Sequence, residues 1–229
     1  MTNNLISLLL LPVFALVAAD NLELMRDKQD KAGLAQAAAS LAAAAEKNAN
    51  DADAWYRAAI AQIYIAEVTM ELGDKLGSQH AAEEGVKQID KALALKSTNP
   101  DYYRVLGTLC GQVIPANPIM GALSYGKRAK DALDKAISMD PNSARAFVAH
   151  GVGYYYLPPS FGGGPENAIR DFKQAINLDP KSADAYLWMG IAYRKLHQNP
   201  QAREAFTKAL QYAPARVWAK AQLDKTPAQ

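Results

Sequence analysis

Three sets of residues in this 229-residue sequence are of types that can do chemistry. Cys110 is the only cysteine, and His150 is one of three histidines with His80 and His197. A cysteine becomes a nucleophile when an imidazole lies within hydrogen-bond reach and a third group orients that imidazole. One cysteine forms neither an internal disulfide nor a multi-cysteine metal site. The histidines show no metal-binding spacing such as His-Glu-x-x-His. The third set is the run Phe161-Gly162-Gly163-Gly164-Pro165-Glu166. Glycines ahead of a helix can present amide hydrogens to an anion. This run has no Lys-Ser/Thr pair, however; Pro165 withdraws one donor, and Glu166 puts negative charge where a phosphate would sit. Its glycines are expected to supply positive φ, with Pro165 opening a helix and Phe161 tucking the loop against the body. A lip that touches a ligand is the other role open to Phe161, Gly162, Gly163 and Gly164. No metal and no other cofactor is expected.

Helices must position these residues, and the helices repeat. Tyr186, Met189, Gly190 and Tyr193 fall three, one and three residues apart, followed by Ala202, Phe206, Ala209 and Pro214. Phe147, His150, Gly151 and Tyr154, then Ala168, Phe172, Ala175 and Pro180, form the preceding unit. Tyr103, Leu106, Gly107 and Cys110, then Ala129, Leu133, Ala136 and Pro141, form an earlier one, and Trp55, Ala58, Ala59 and Gln62, then Gly85, Ile89 and Ala92, the first. This pattern resembles the tetratricopeptide repeat over its full length. An all-α, right-handed superhelix of about four helix pairs is the expected fold. The small residues Ala59, Gly107, Gly151 and Gly190 lie 48, 44 and 39 residues apart, against about 34 for an uninterrupted repeat. The first three units are therefore expected to carry inserted segments, 73–80 and 114–125 among them. Cys110 takes the place that Tyr154 and Tyr193 fill in sister units, and His150 that of Leu106 and Met189. Both read as buried filler, so the chain is expected to be non-catalytic.

The chain divides into a leader (1–19), an N-terminal helical segment packed on the first repeat (20–50), the repeats (51–214), and a capping helix with a tail (215–229). Residues 2–19 hold no charged side chain, and a stretch of about 15 apolar residues ends at Val17-Ala18-Ala19. That is the pattern of a secretory signal peptide, short of a full membrane span, and implies export to a periplasm or beyond; an uncleaved interfacial or membrane anchor is the alternative. In the cap, Val217, Trp218 and Ala221 are expected to face inward, and Arg216, Lys220, Gln222 and Asp224 to face water. A net charge of +2 offers no clustered basic face for nucleic acid.

The first helix of each pair is expected to line a concave groove. Its candidates are Tyr56, Ile60, Ile63 and Tyr64; Arg104 and Thr108; Val148, Val152, Tyr155 and Tyr156; and Leu187, Ile191 and Arg194. So apolar a surface suits a peptide or protein segment, or alternatively a lipid or other hydrophobic small molecule. The competing expectation is that the insertions 73–80 and 114–125 fold over the groove and fill it.

Two stretches resemble particular relatives. Tyr154–Glu166, with its three glycines, and Pro118–Lys127 are similar to exported bacterial tetratricopeptide proteins, which implies a periplasmic binding or scaffold role. Leu106-Gly107-Thr108-Leu109-Cys110 and the long first insertion resemble the repeat domain of the regulator of microtubule dynamics proteins, some of which bind phospholipid.

Overall fold

The computed structural model describes residues 21–228, and the leader lies outside them. Helix α1 covers 21–27. It is followed by α2 (Lys31–Lys47), α3 (Ala52–Glu71), α4 (Lys75–Leu95), α5 (Pro100–Val113), α6 (Pro118–Gly121), α7 (Lys127–Met139), α8 (Ala144–Tyr156), α9 (Pro165–Leu178), α10 (Ala183–Lys195), α11 (Asn199–Tyr212) and α12 (Val217–Asp224). No strand occurs among the described residues. The pairs α3–α4, α5–α7, α8–α9 and α10–α11 stack in series, α2 packs on α3, and α12 covers α11.

Short polar side chains start several of these helices by accepting orphan amide hydrogens. Asp30 accepts from Gly33, Asp51 from Asp53 and Ala54, Asp74 from Gly77, Asn99 from Asp101, and Ser143 from Ala146. Ser182 makes no such bond at the head of α10; Asp179 instead holds the turn by accepting from the Lys181 amide.

Within each pair a small residue on the first helix admits a large one from the second. A Cβ on Gly107 would lie 2.5 Å from Leu133, and on Gly151 or Gly190 it would lie 2.6 Å from Phe172 or Phe206. Those two rings are fully buried. Contact this close leaves no void, which is what interior packing density demands.

The first insertion is not a loop. α3 and α4 run 20 and 21 residues, joined by a tight turn at Gly73 with φ 85°. The extra residues lengthen both helices, because nothing between Trp55 and Asn99 breaks a helix except that turn. The second insertion does leave the pair. It runs through a 3-10 turn (Ile114–Ala116), α6 and a π-helical turn (Ala122–Gly126) into α7.

The cap departs from expectation. Arg216 and Gln222 are buried, Trp218 is half-buried, and Val217 is exposed. The reason is electrostatic: both polar groups have partners inside the molecule.

Candidate functional site

Part of the face lined by the first helices, at α3, α8 and α10, is occupied by residues 21–29 of the chain itself. Residues 21–29 cross it as a strap. Leu22 is buried against Leu34, Ala38, Ala61 and Val68. Glu23 accepts a hydrogen bond from the Tyr64 hydroxyl at 3.1 Å and faces Arg145 of α8 at 3.5 Å. Arg26 donates to Asp184 of α10 at 2.9 Å, lies 3.7 Å from Glu67 of α3, and stands over the Tyr64 ring. Gln29 donates to Glu71 at 2.9 Å. The groove is thus filled by neither insertion 73–80 nor 114–125.

A partly buried charge network ties this strap to both ends of the superhelix. Arg216, just before α12, donates through both terminal nitrogens to Glu71, and each side chain is only 4% exposed. Its Nε faces Asp27 at 3.5 Å. Burial raises the Glu67 carboxyl to about 7, with Asp184 and Glu71 adding to the rise and Arg26 and Arg216 opposing it. Burial would also raise Asp184, but Arg26 and then Arg216 outweigh it and hold that carboxyl below its ordinary value. Burial disfavours the Arg26 charge, yet Asp184 and Glu67 hold its pKa well above normal. Four carboxylates (Asp27, Glu67, Glu71, Asp184) therefore surround two guanidiniums. Buried charge is tolerated only with such pairing.

The expected groove residues fall into four groups. Ile63, Leu187 and Ile191 are buried in helix–helix contacts and unavailable to a ligand. Arg104 is buried too, its guanidinium closed on Asp101, which also accepts from the Tyr56 hydroxyl; the Tyr56 ring stacks on Tyr102 at 5.0 Å. Thr108 spends its hydroxyl on the Arg104 carbonyl, and Arg194 turns to Gln222 at the cap. Ile60 and Tyr64 are half-buried in the clusters beside and beneath the strap. Val148, Val152 and Tyr155 are half-buried, and Tyr156 is 57% exposed.

These last residues border an aromatic array that the repeat pattern does not assemble. Tyr155 and Tyr156 meet edge to face at 5.1 Å, both approach Trp188 at about 6 Å, and Trp188 meets Trp218 of the cap at 5.4 Å. Lys195 Nζ stands 4.5 Å over the Tyr155 ring. In the sequence Trp188 and Trp218 are legible only as packing residues, since nothing in their spacing links separate helices. Elsewhere, an open cleft of about 670 Å³ between α5 and α7 is lined by Tyr103, Leu106 and Leu123, with Lys127, Arg128 and Lys135.

The residues first singled out for chemistry are not brought together. Cys110 is fully buried in the apolar core, and burial pushes its thiol up to about 12. His150 is held by Asp171 at 2.7 Å and Asp134 at 3.3 Å, which links α8 to α9 and α7. Among the described residues no group of His, Cys, Asp or Glu is gathered to hold a metal ion. The glycine run is a conformational joint. Gly162 and Gly164 have φ of 81° and 105°, a Cβ on Gly163 would strike the Leu157 carbonyl, and Asn167 donates to the Gly162 and Gly163 carbonyls. Phe161 does not tuck inward; it is 75% exposed, because these backbone bonds already pin the loop.

Comparison with known proteins extends this description. Residues 15–157, more than half of the chain, match the family model of regulator of microtubule dynamics protein 1-3. Tetratricopeptide-repeat models match residues 165–196 and 183–216. No curated protein matches the chain. The solved structure of TTC0263, a thermophilic TPR protein of Thermus thermophilus, is 19% identical, with 84% of this chain and 91% of that one covered and a TM-score of 0.58. The HusA haemophore of Porphyromonas gingivalis is 19% identical, with coverages of 76% and 92% and a TM-score of 0.59. At such identity the likeness is one of fold. No described helix is long and apolar enough to cross a membrane. The serial helix pairs mark a protein-interaction scaffold, and the chain belongs to the regulator of microtubule dynamics protein 1-3 family, built on tetratricopeptide repeats.

Proposed function

We propose that this chain is an exported, non-catalytic scaffold that holds a protein segment along the part of its inner face left open by the strap. The observation that carries the reading is the exposed Tyr156 at the edge of a contiguous array with Tyr155, Trp188 and Trp218, flanked by Lys195. Aromatic side chains offer large contact area with few torsions to freeze, which is why they anchor protein interfaces. Export is supported by the uncharged apolar leader, and cleavage after Ala19 leaves the whole strap in place.

Selection from a displayed peptide library on the intact chain and on Tyr156→Ser tests the scaffold role. Enriched peptides should bind the intact chain at least about tenfold tighter, as expected for loss of an interface anchor. Equal binding, or no enrichment, refutes it. N-terminal sequencing of the exported protein tests the leader; an intact Met1 would refute cleavage.

A second reading, carriage of an apolar small molecule, draws on the cleft between α5 and α7 instead of the inner face. Its Tyr103, Leu106 and Leu123 floor would suit an acyl chain, and Lys135, beside the Lys127–Asp131 and Arg128–Asp90 pairs, an anionic head. Native mass spectrometry of the purified chain decides this: bound lipid supports carriage, and its absence after incubation with lipid refutes it.

A further inference from the structure

The aromatic array has a charged end with no counter-charge. Lys195 is exposed in the last turn of α10, and its Nζ stands 4.5 Å over the Tyr155 ring. Arg194 beside it donates to the neutral Gln222, to the carbonyl at 3.3 Å and to the side-chain oxygen. Burial raises the Tyr155 hydroxyl and Arg194 opposes the rise, so both cations act on this one ring. Among the described residues no carboxylate pairs with either of them. The other cations of the inner face differ. Arg26 has Asp184 and Glu67, Arg104 has Asp101, Arg145 has Glu23, and Arg216, 5.5 Å from the Trp218 ring, has Glu71.

This imbalance sets the chemistry of what fits. The Tyr155 ring attracts the Lys195 ammonium to its face and so holds the charge at the array. An ammonium is a compact point charge, whereas the planar fork that suits a phosphate belongs to arginine. The guanidinium of Arg194 is already committed to Gln222. One singly charged carboxylate is therefore the matching group. It must arrive with an apolar neighbour, because Tyr156, Trp188 and Tyr155 surround the place it enters. A basic segment would set like charge against Lys195, which an interface disfavours.

We propose that the partner held by the aromatic array is an acidic protein segment: a side-chain carboxylate of that segment pairs with Lys195, while the apolar side chain next to it lies against Tyr155, Tyr156 and Trp188. This deepens the scaffold reading and rests on it. The rings supply the anchorage, and Lys195 selects the sign of the charge beside it.

The test selects a displayed peptide library on the intact chain and on Lys195→Glu. Lys195 is exposed and in no ion pair, so its replacement leaves the fold and Tyr156 in place. Peptides enriched on the intact chain should carry aspartate or glutamate beside an apolar residue more often than the unselected library does. They should bind Lys195→Glu at least about tenfold more weakly, because an attractive pair across the interface becomes a repulsive one. Lys195→Gln should fall between the two, and added salt should shrink the differences. Peptides selected on Lys195→Glu should carry lysine or arginine instead. No excess of acidic residues on the intact chain, or equal binding to all three chains, overturns the proposal. If the enriched peptides then still depend on Tyr156, only the acidic partner falls. If they depend on neither residue, or none is enriched, the scaffold reading falls as well.

Discussion

Gly151 and Gly153 stand two residues apart on α8 and face opposite ways, so replacing each with alanine separates helix propensity from packing. Alanine in a helix interior gains about 0.8–1 kcal/mol over glycine at either site. At Gly153 the new Cβ meets only Leu133 Cδ1, at 3.8 Å, an ordinary contact. Gly153→Ala should therefore stabilise the chain by roughly that amount. At Gly151 the Cβ would lie 2.6 Å from Phe172 Cε1 and 3.1 Å from Asp171 Cβ. Carbon pairs prefer about 3.5–4.0 Å, so a ring with no exposed surface must shift by about 1 Å. Overpacking of this kind costs about 1–3 kcal/mol. Propensity cancels in the comparison, and the two variants should differ by about 1–3 kcal/mol, with Gly151→Ala the less stable. Urea unfolding followed by circular dichroism measures this, provided the slopes agree. Each kcal/mol should also move Tm by about 2–4 °C at this chain length. Midpoints that shift together, in one direction and by one amount, would refute the assignment of Gly151 as the contact that admits Phe172.

Two further outcomes follow from the buried charges. Arg216→Met strands Glu71 with only the Gln29 amide as donor, and should cost about 3–5 kcal/mol in urea unfolding. Arg216→Met with Glu71→Leu should recover most of that loss, and no recovery would show that the pair does not act as a unit. Glu67 provides a pH signature. Its folded pKa of about 7 lies above the ordinary value of 4.5, so the folded state holds more protons between those limits. The stabilisation is complete below pH 4.5 and is lost as pH rises through 7. Glu67→Gln should flatten the fall in Tm between about pH 5 and pH 8, and an unchanged slope would refute the assignment.

Much of this architecture was legible in the sequence because repeat contacts are local. Gly190 meets Phe206 within one helix pair, so the spacing that encodes their contact recurs in every unit. The same logic failed at the first insertion. A longer spacing between Ala59 and Gly107 does not say whether residues were inserted between helices or added to them, and the absence of proline from 51 to 99 was the available clue. Arg216 and Gln222 read as solvated because a polar residue in a cap has no visible partner until Glu71 and Arg194 arrive from other helices. The strap was illegible for a related reason. Leu22-Glu23-Leu24-Met25-Arg26-Asp27 has no period to match, and the partners of Arg26 lie on two helices far apart in the chain.

That distance changes what kind of object the superhelix is. Stacked repeats contact only their neighbours, and their stability is close to a sum of nearest-neighbour terms. Here the apolar clusters obey that rule, each drawing its residues from adjacent helices. The polar groups do not. Arg26 reaches Asp184 across 158 residues and Arg216 reaches Glu71 across 145. The first and last units are thus coupled by charges that the strap completes. The strap brings one acid and one base to this cluster, Asp27 against Arg216 and Arg26 against Asp184 and Glu67. Cohesion of the two ends consequently depends on two guanidiniums, Arg26 held by Asp184 and Glu67 and Arg216 held by Glu71, and not on nearest-neighbour packing alone.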